Sequence, residues 1–166
     1  MAFDIIALLN VDVAALEGAG EEMLADFVRH GGTVVYGGDL WAYARGNMKN
    51  GRLAEMLPVT FPAGPPKGAG LKFLRGAPVR RGDQPLAPQA VMAYAGGAFA
   101  LKPGARLLAQ CGDDPVLVAW LVGQGRVIAI TGTVLGEAPA GSVLFYRAPE
   151  WAALLAEAVG GKAVER

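Results

Sequence analysis

The chain has 166 residues, 53% of them hydrophobic, and its 15 Lys+Arg balance its 15 Asp+Glu. That length suits a single domain, 1–166, and the absence of a basic field argues against nucleic acid or an anionic membrane as partner. No apolar run approaches the roughly 20 residues that span a bilayer. The start Met1-Ala2-Phe3-Asp4-Ile5 lacks the positive region of a signal peptide. With Cys111 the only cysteine and His30 the only histidine, an internal disulfide and a Cys/His metal cage are excluded. The expectation is a cytoplasmic, soluble protein with no metal or cofactor and no direct membrane insertion.

The first element, Phe3 to Leu9, is continuously apolar after Asp4 and reads as a central strand buried on both faces. Gly20 then caps a helix with Glu21 and Glu22 in its first turn and Arg29 and His30 in its last, before Gly31-Gly32. Met23, Leu24, Phe27 and Val28 form its apolar stripe. Thr33-Val34-Val35-Tyr36 is a β-branched run closed by Gly37-Gly38, so strand, helix and strand make a right-handed βαβ unit with parallel strands.

Asp39 to Leu57 reads as partly helical, with Leu53, Met56 and Leu57 facing inward. From Pro58 to about Pro88 the character changes. Pro62-Ala63-Gly64-Pro65-Pro66-Lys67-Gly68-Ala69-Gly70 suits neither a helix nor a central strand, and the stretch at about 60–105 is expected to be a long Pro/Gly-rich surface excursion. Three strands follow, at Arg106 to Gln110, Val116 to Val122 and Arg126 to Thr131, the last two joined by a hairpin at Gly123-Gln124-Gly125. The chain closes with a helix from about Pro149 carrying Trp151, Leu154, Leu155 and Val159 on one stripe, ended by Gly160-Gly161. The sheet is thus mixed, parallel first and antiparallel later.

Three stretches together, Ala25 to Gly32 running into Val34 to Gly38, then Leu53 to Val59, and Gly123-Gln124-Gly125-Arg126-Val127, resemble the class I glutamine amidotransferase-like superfamily. More narrowly they are similar to bacterial amidotransferase-like domains often found in larger, membrane-associated proteins. The resemblance implies an α/β fold, a flavodoxin-like, class I amidotransferase-like three-layer sandwich with a mixed, mainly parallel sheet. Such domains start with a βα unit or two upstream of the strand that Phe3 to Leu9 resembles. This chain therefore reads as truncated at the N-terminus, a fragment or a sheet whose open edge another chain or a second copy covers.

The same resemblance places a cysteine nucleophile on the turn Tyr36 to Leu40, where this chain has neither Cys nor Ser. No catalytic residue is assigned. The turn instead suggests a small-ligand site beyond the carboxyl ends of the strands, at Gly37, Gly38, Asp39, Trp41 and Arg45, with Tyr43 beside them. Cys111 reads as a buried thiol and His30 as a helix-terminal cation, while Asp113-Asp114 and Arg80-Arg81 read as turn chemistry and a basic loop tip. The functional expectation is a non-catalytic module for small-ligand binding or protein assembly. Its alternatives are a hydrolase using Asp39 or Cys111 and a structural homo-oligomer.

Overall fold

The structure is a computed structural model that describes residues 4–11, 13–38, 43, 51–60, 75–95, 99–133 and 137–160. Strand β1 (Ile5–Leu9), helix α1 (Glu17–Arg29) and strand β2 (Thr33–Gly37) form the expected parallel βαβ unit, in register from Ile5 opposite Thr33 to Leu9 opposite Gly37. The helix starts at Glu17, ahead of the expected Gly20 cap, because a 3-10 turn at Val13–Leu16 leads into it. Leu24, Ala25, Phe27 and Val28 are its buried residues, whereas Met23 stands 65% exposed at the margin of the stripe. At its end Gly31 N–H donates to Val28 O and Gly32 N–H to Phe27 O, with Gly31 at φ 104. This paired closure needs a residue free to take the left-handed region, which is why glycine follows His30.

Five further strands extend the sheet. β10 (Gly125–Ile130) lies parallel to β2 on the side away from β1, and β9 (Asp114–Val122) returns antiparallel from it through the two-residue turn Gly123-Gln124. Beyond these come β8 (Arg106–Cys111), β4 (Arg75–Arg81) and β6 (Ala90–Ala95), each antiparallel to its predecessor. β10 continues through Thr131 into β11 (Gly132–Thr133), which pairs with β6. The path β10-β9-β8-β4-β6-β11 thus comes back to the chain where it began, and the sheet curls into a half-barrel. Register shifts in the β8–β9 ladder around Ala109 add to the bend.

Short strands complete the set: β5 (Gln84–Pro85) on β4, β12 (Ser142–Leu144) parallel to β6, and β3 (Val59–Thr60) with β7 (Ala100–Leu101) as a separate antiparallel pair.

Side chains alternate between the two faces. Val34 and Tyr36 of β2, Val127 and Ala129 of β10 and Val118 of β9 join one apolar cluster with α1 and with helix α2 (Arg52–Met56). Val35, Ile128, Leu117 and Ala119 join the other, covered by Phe145, Trp151, Leu154 and Ala158, the last three from helix α3 (Pro149–Gly160). Leu53, Met56 and Leu57 face inward as expected. Glu21 of α1 accepts from Leu53 N–H at 3.0 Å at the start of α2, and Lys102 Nζ donates to Ala54 O and Glu55 O at its end, at 2.7 and 3.0 Å. Five residues are too few to be helical on propensity alone, so these contacts and the buried face hold α2 in place.

Two expectations are corrected. The α/β class and the mixed sheet stand, but a mainly parallel, flavodoxin-like three-layer sandwich does not form: only β1–β2, β2–β10 and β6–β12 are parallel among the described pairings. In addition, the stretch at about 60–105 is not all surface excursion, since β4, β5 and β6 lie within it and bury Val79, Val91 and Ala93. Pro78, a deterrent to a strand assignment, sits where β4 passes from pairing with β6 to pairing with β8, so its missing N–H interrupts neither ladder in its middle.

Candidate functional site

The expected ligand turn lies at the carboxyl ends of β2 and β10. Asp39, Trp41 and Arg45 fall outside the described residues. Gly37 and Gly38 are buried there, and the Gly37 carbonyl accepts from Asn10 N–H at 2.8 Å. A Cβ on Gly37 would meet Leu9 Cδ2 at 3.0 Å and Ile130 Cβ at 3.1 Å, so a side chain at this position would have to press its strand neighbours aside.

Tyr43 closes the ends of β2 and β10 from inside, its hydroxyl donating to Ile130 O at 2.9 Å with Tyr36 O at 3.3 Å. Its ring meets Tyr36 and Phe99 edge to face at 5.1 and 5.0 Å. Burial, reinforced by Tyr36, pushes the Tyr43 phenol well above its ordinary range, so it stays a neutral donor.

Cys111 is buried on the α3 side of the sheet, its thiol bonded to Ala93 O at 3.1 Å and Ala77 O at 3.3 Å. His30 is exposed at the end of α1, on the opposite face, with Nδ1 2.7 Å from Asp26 O. The sheet therefore separates the thiol from the imidazole, and the two do not make a nucleophile and base. Of the Asp113-Asp114 pair, Asp113 occupies the turn between β8 and β9 next to Gly112, which takes φ 61, whereas Asp114 opens β9. No cluster of three His, Cys, Asp or Glu that could hold a metal occurs among the described residues.

Three arginines serve α3. Arg81 of β4 and Arg106 of β8 both reach Glu157 Oε1, at 2.8 and 2.7 Å, and Arg126 of β10 donates to the carbonyls of Ala158 and Val159 at 2.9 and 2.6 Å. A cation at a helix C-terminus satisfies orphan carbonyls and complements the dipole. The Gly-Gln-Gly-Arg segment is explained by the same packing. Gln124 N–H and Arg126 N–H donate to Arg29 O and Gly32 O at the end of α1, and a side chain on Gly125 would collide with Val28 O and Gly32 O.

One surface is not accounted for by such internal contacts. β1 is the last strand on its side of the sheet among the described residues. Thr33 N–H donates to Asp4 O at 3.0 Å and Asn10 N–H to Gly37 O at 2.8 Å, so the even-numbered residues turn their main-chain groups toward β2. By the alternation of a parallel ladder, Ile5, Ala7 and Leu9 turn theirs outward. The side chains of the same three residues lie on the α3 side, in rows with Thr33 and Arg126, with Val35 and Ile128, and with Gly37 and Ile130. α3 lies over β9 and β10, and Ile5 and Leu9 stay 47% and 57% exposed. The sequence reading of a central strand buried on both faces is thereby corrected. An unbroken apolar run looks the same at the centre of a sheet as at an exposed edge.

No family model matches the chain, and no curated protein matches it. Two solved cytoplasmic proteins of Salmonella typhimurium are similar to it at 18% identity, with TM-scores of 0.63 and 0.65, over 92% of this chain and 69% of theirs. A cold-adapted β-galactosidase from Rahnella is similar at 19% identity and a TM-score of 0.54, over 93% of this chain and 22% of the enzyme. Identities this low show a shared fold alone. None of these structures is described as an amidotransferase, and with no family model matching, the expected membership of the amidotransferase-like superfamily is withdrawn.

Proposed function

We propose that the chain is a non-catalytic assembly module whose working surface is the open edge of β1. The observation that carries this reading is the coincidence, in Ile5, Ala7 and Leu9, of outward main-chain groups with an apolar face that α3 leaves exposed. An unpaired, flat, apolar edge is a template for another strand, and proteins that keep such an edge to themselves blunt it with lysine, proline or a bulge. β1 has none of these.

The rest of the described molecule supports the same reading. Cys111 is packed and bonded, His30 closes a helix, and the arginines around Glu157 clamp α3. The likeness to 22% of a β-galactosidase is that of a fold used as one part of a longer chain. A cytoplasmic setting, the one named for the two Salmonella proteins, belongs to this proposal.

Native mass spectrometry of the freshly purified chain, joined to amide exchange at Ile5, Ala7 and Leu9, tests it. The expected result is a species heavier than the 17.2 kDa chain in which these amides are slow. A 17.2 kDa species alone, with all three amides exchanging freely at every concentration, overturns it. A small defined added mass would move the reading to the strand ends at Gly37 and Gly38.

A further inference from the structure

Resting on the assembly reading, we propose that the strand seated on β1 is β1 of a second copy, antiparallel and centred on Ala7. A two-fold axis normal to the sheet brings Ile5 of each copy opposite Leu9 of the other and Ala7 opposite Ala7. These are the residues whose N–H and C=O face outward, so each pair exchanges two hydrogen bonds and every outward group finds a partner. Moving the register by two residues leaves Leu9 or Ile5 of each copy with no outward-facing strand residue opposite it. Moving it by one aims the outward groups at residues already bonded to β2.

The side chains agree with the same register. Ile5 meets Leu9 on the exposed face, Ile6 meets Leu8 on the α1 side, and no charge falls between Asp4 and Asn10. Asp4 stands opposite Asn10, so no carboxylate faces another across the axis. A foreign strand could satisfy the main chain equally well. Only a copy of β1 is guaranteed to be uncharged over the same length, apolar on both faces and complementary about a single residue.

The register is tested by cross-linking the full chain. Paired α-carbons in a hydrogen-bonded antiparallel pair stand about 5.5 Å apart, inside the disulfide range. Ala7→Cys is therefore expected to give a covalent dimer under mild oxidation. Ile5→Cys, facing Leu9, is expected to give none, and the buried, bonded Cys111 does not compete. Ala7→Pro removes an outward N–H and no bond to β2. It should abolish the dimer in sedimentation while leaving the circular dichroism unchanged, and should it unfold the chain the cross-link still decides.

A wild-type monomer, or self-association weaker than about 1 mM, overturns the inference, as does a dimer that Ala7→Cys fails to cross-link. If the β1 amides are instead protected in a complex with a different protein, the second copy is overturned and the assembly reading survives. Free amides and no complex remove both.

Discussion

At one end of the large sheet β1 leaves the main-chain groups of Ile5, Ala7 and Leu9 facing outward, whereas at the other the chain itself returns through Thr131 to seat β11 beside β6. The closed end buries polar groups of Thr131 and Cys111, and these bond within the sheet. Thr131 N–H donates to Val116 O at 3.0 Å, its hydroxyl donates to Pro115 O, and the Cys111 thiol donates to carbonyls of β4 and β6. A sheet that curls onto itself satisfies its edges internally and becomes intolerant of change. An open edge keeps its bonding capacity for something outside, and its residues can change with little effect on the fold.

The largest expected effect lies in the packed middle of the sheet, away from both ends. Gly125→Ala drives a methyl into Val28 O and Gly32 O, main-chain atoms that cannot swing aside. It is expected to destabilise by about 3 kcal/mol, read from the midpoint of urea unfolding. A near-neutral Gly125→Ala would mean that the hairpin is not pressed against the end of α1.

Tyr43→Phe should cost less, about 1 to 2 kcal/mol, because the carbonyl of Ile130 loses its donor and part of the ring packing survives. This variant also carries a pH signature. The phenol is held neutral in the fold and ionises in the unfolded chain near its ordinary value of 10.0. Its contribution is therefore complete below that pH and declines as pH rises through it toward the higher folded value. The wild type should lose stability above that pH more steeply than Tyr43→Phe, in urea titrations repeated at rising pH.

The smallest effect on folding is expected at the open edge. Leu9→Lys, at a side chain 57% exposed, should stay within about 0.5 kcal/mol of wild type in a dilute sample. The same change places a cation beside Ile5 of the second copy and should weaken the dimer measured by sedimentation. A large loss of monomer stability would show that the fold depends on the edge strand β1 no less than on the central strand β10.

Much of the βαβ start and of the closing helix was legible because their signals are local. The glycines after His30, the β-branched run of β2 and the spacing of Trp151, Leu154 and Leu155 each announce an element through backbone freedom or periodicity. The strands between residues 75 and 95 were hidden because Ala and Pro residues carry little strand signal, and their burial comes from partners distant in sequence, such as Cys111 opposite Val79. At the turn after β2, the sequence placed Gly37 at the carboxyl end of the strand but could not show the approach of Leu9 and Ile130 to it.

By itself the sequence determined the α/β class, the parallel βαβ start, the β9–β10 hairpin and the lack of Cys or Ser at the turn after β2. Only the tertiary structure decided that the sheet curls, that Arg126 closes α3, and that Ile5 to Leu9 is an edge rather than a centre. The physical reason is the same in each case. Hydrophobic periodicity records which side chains avoid water, whereas strand order and the direction of unpaired main-chain groups depend on which distant segment arrives alongside.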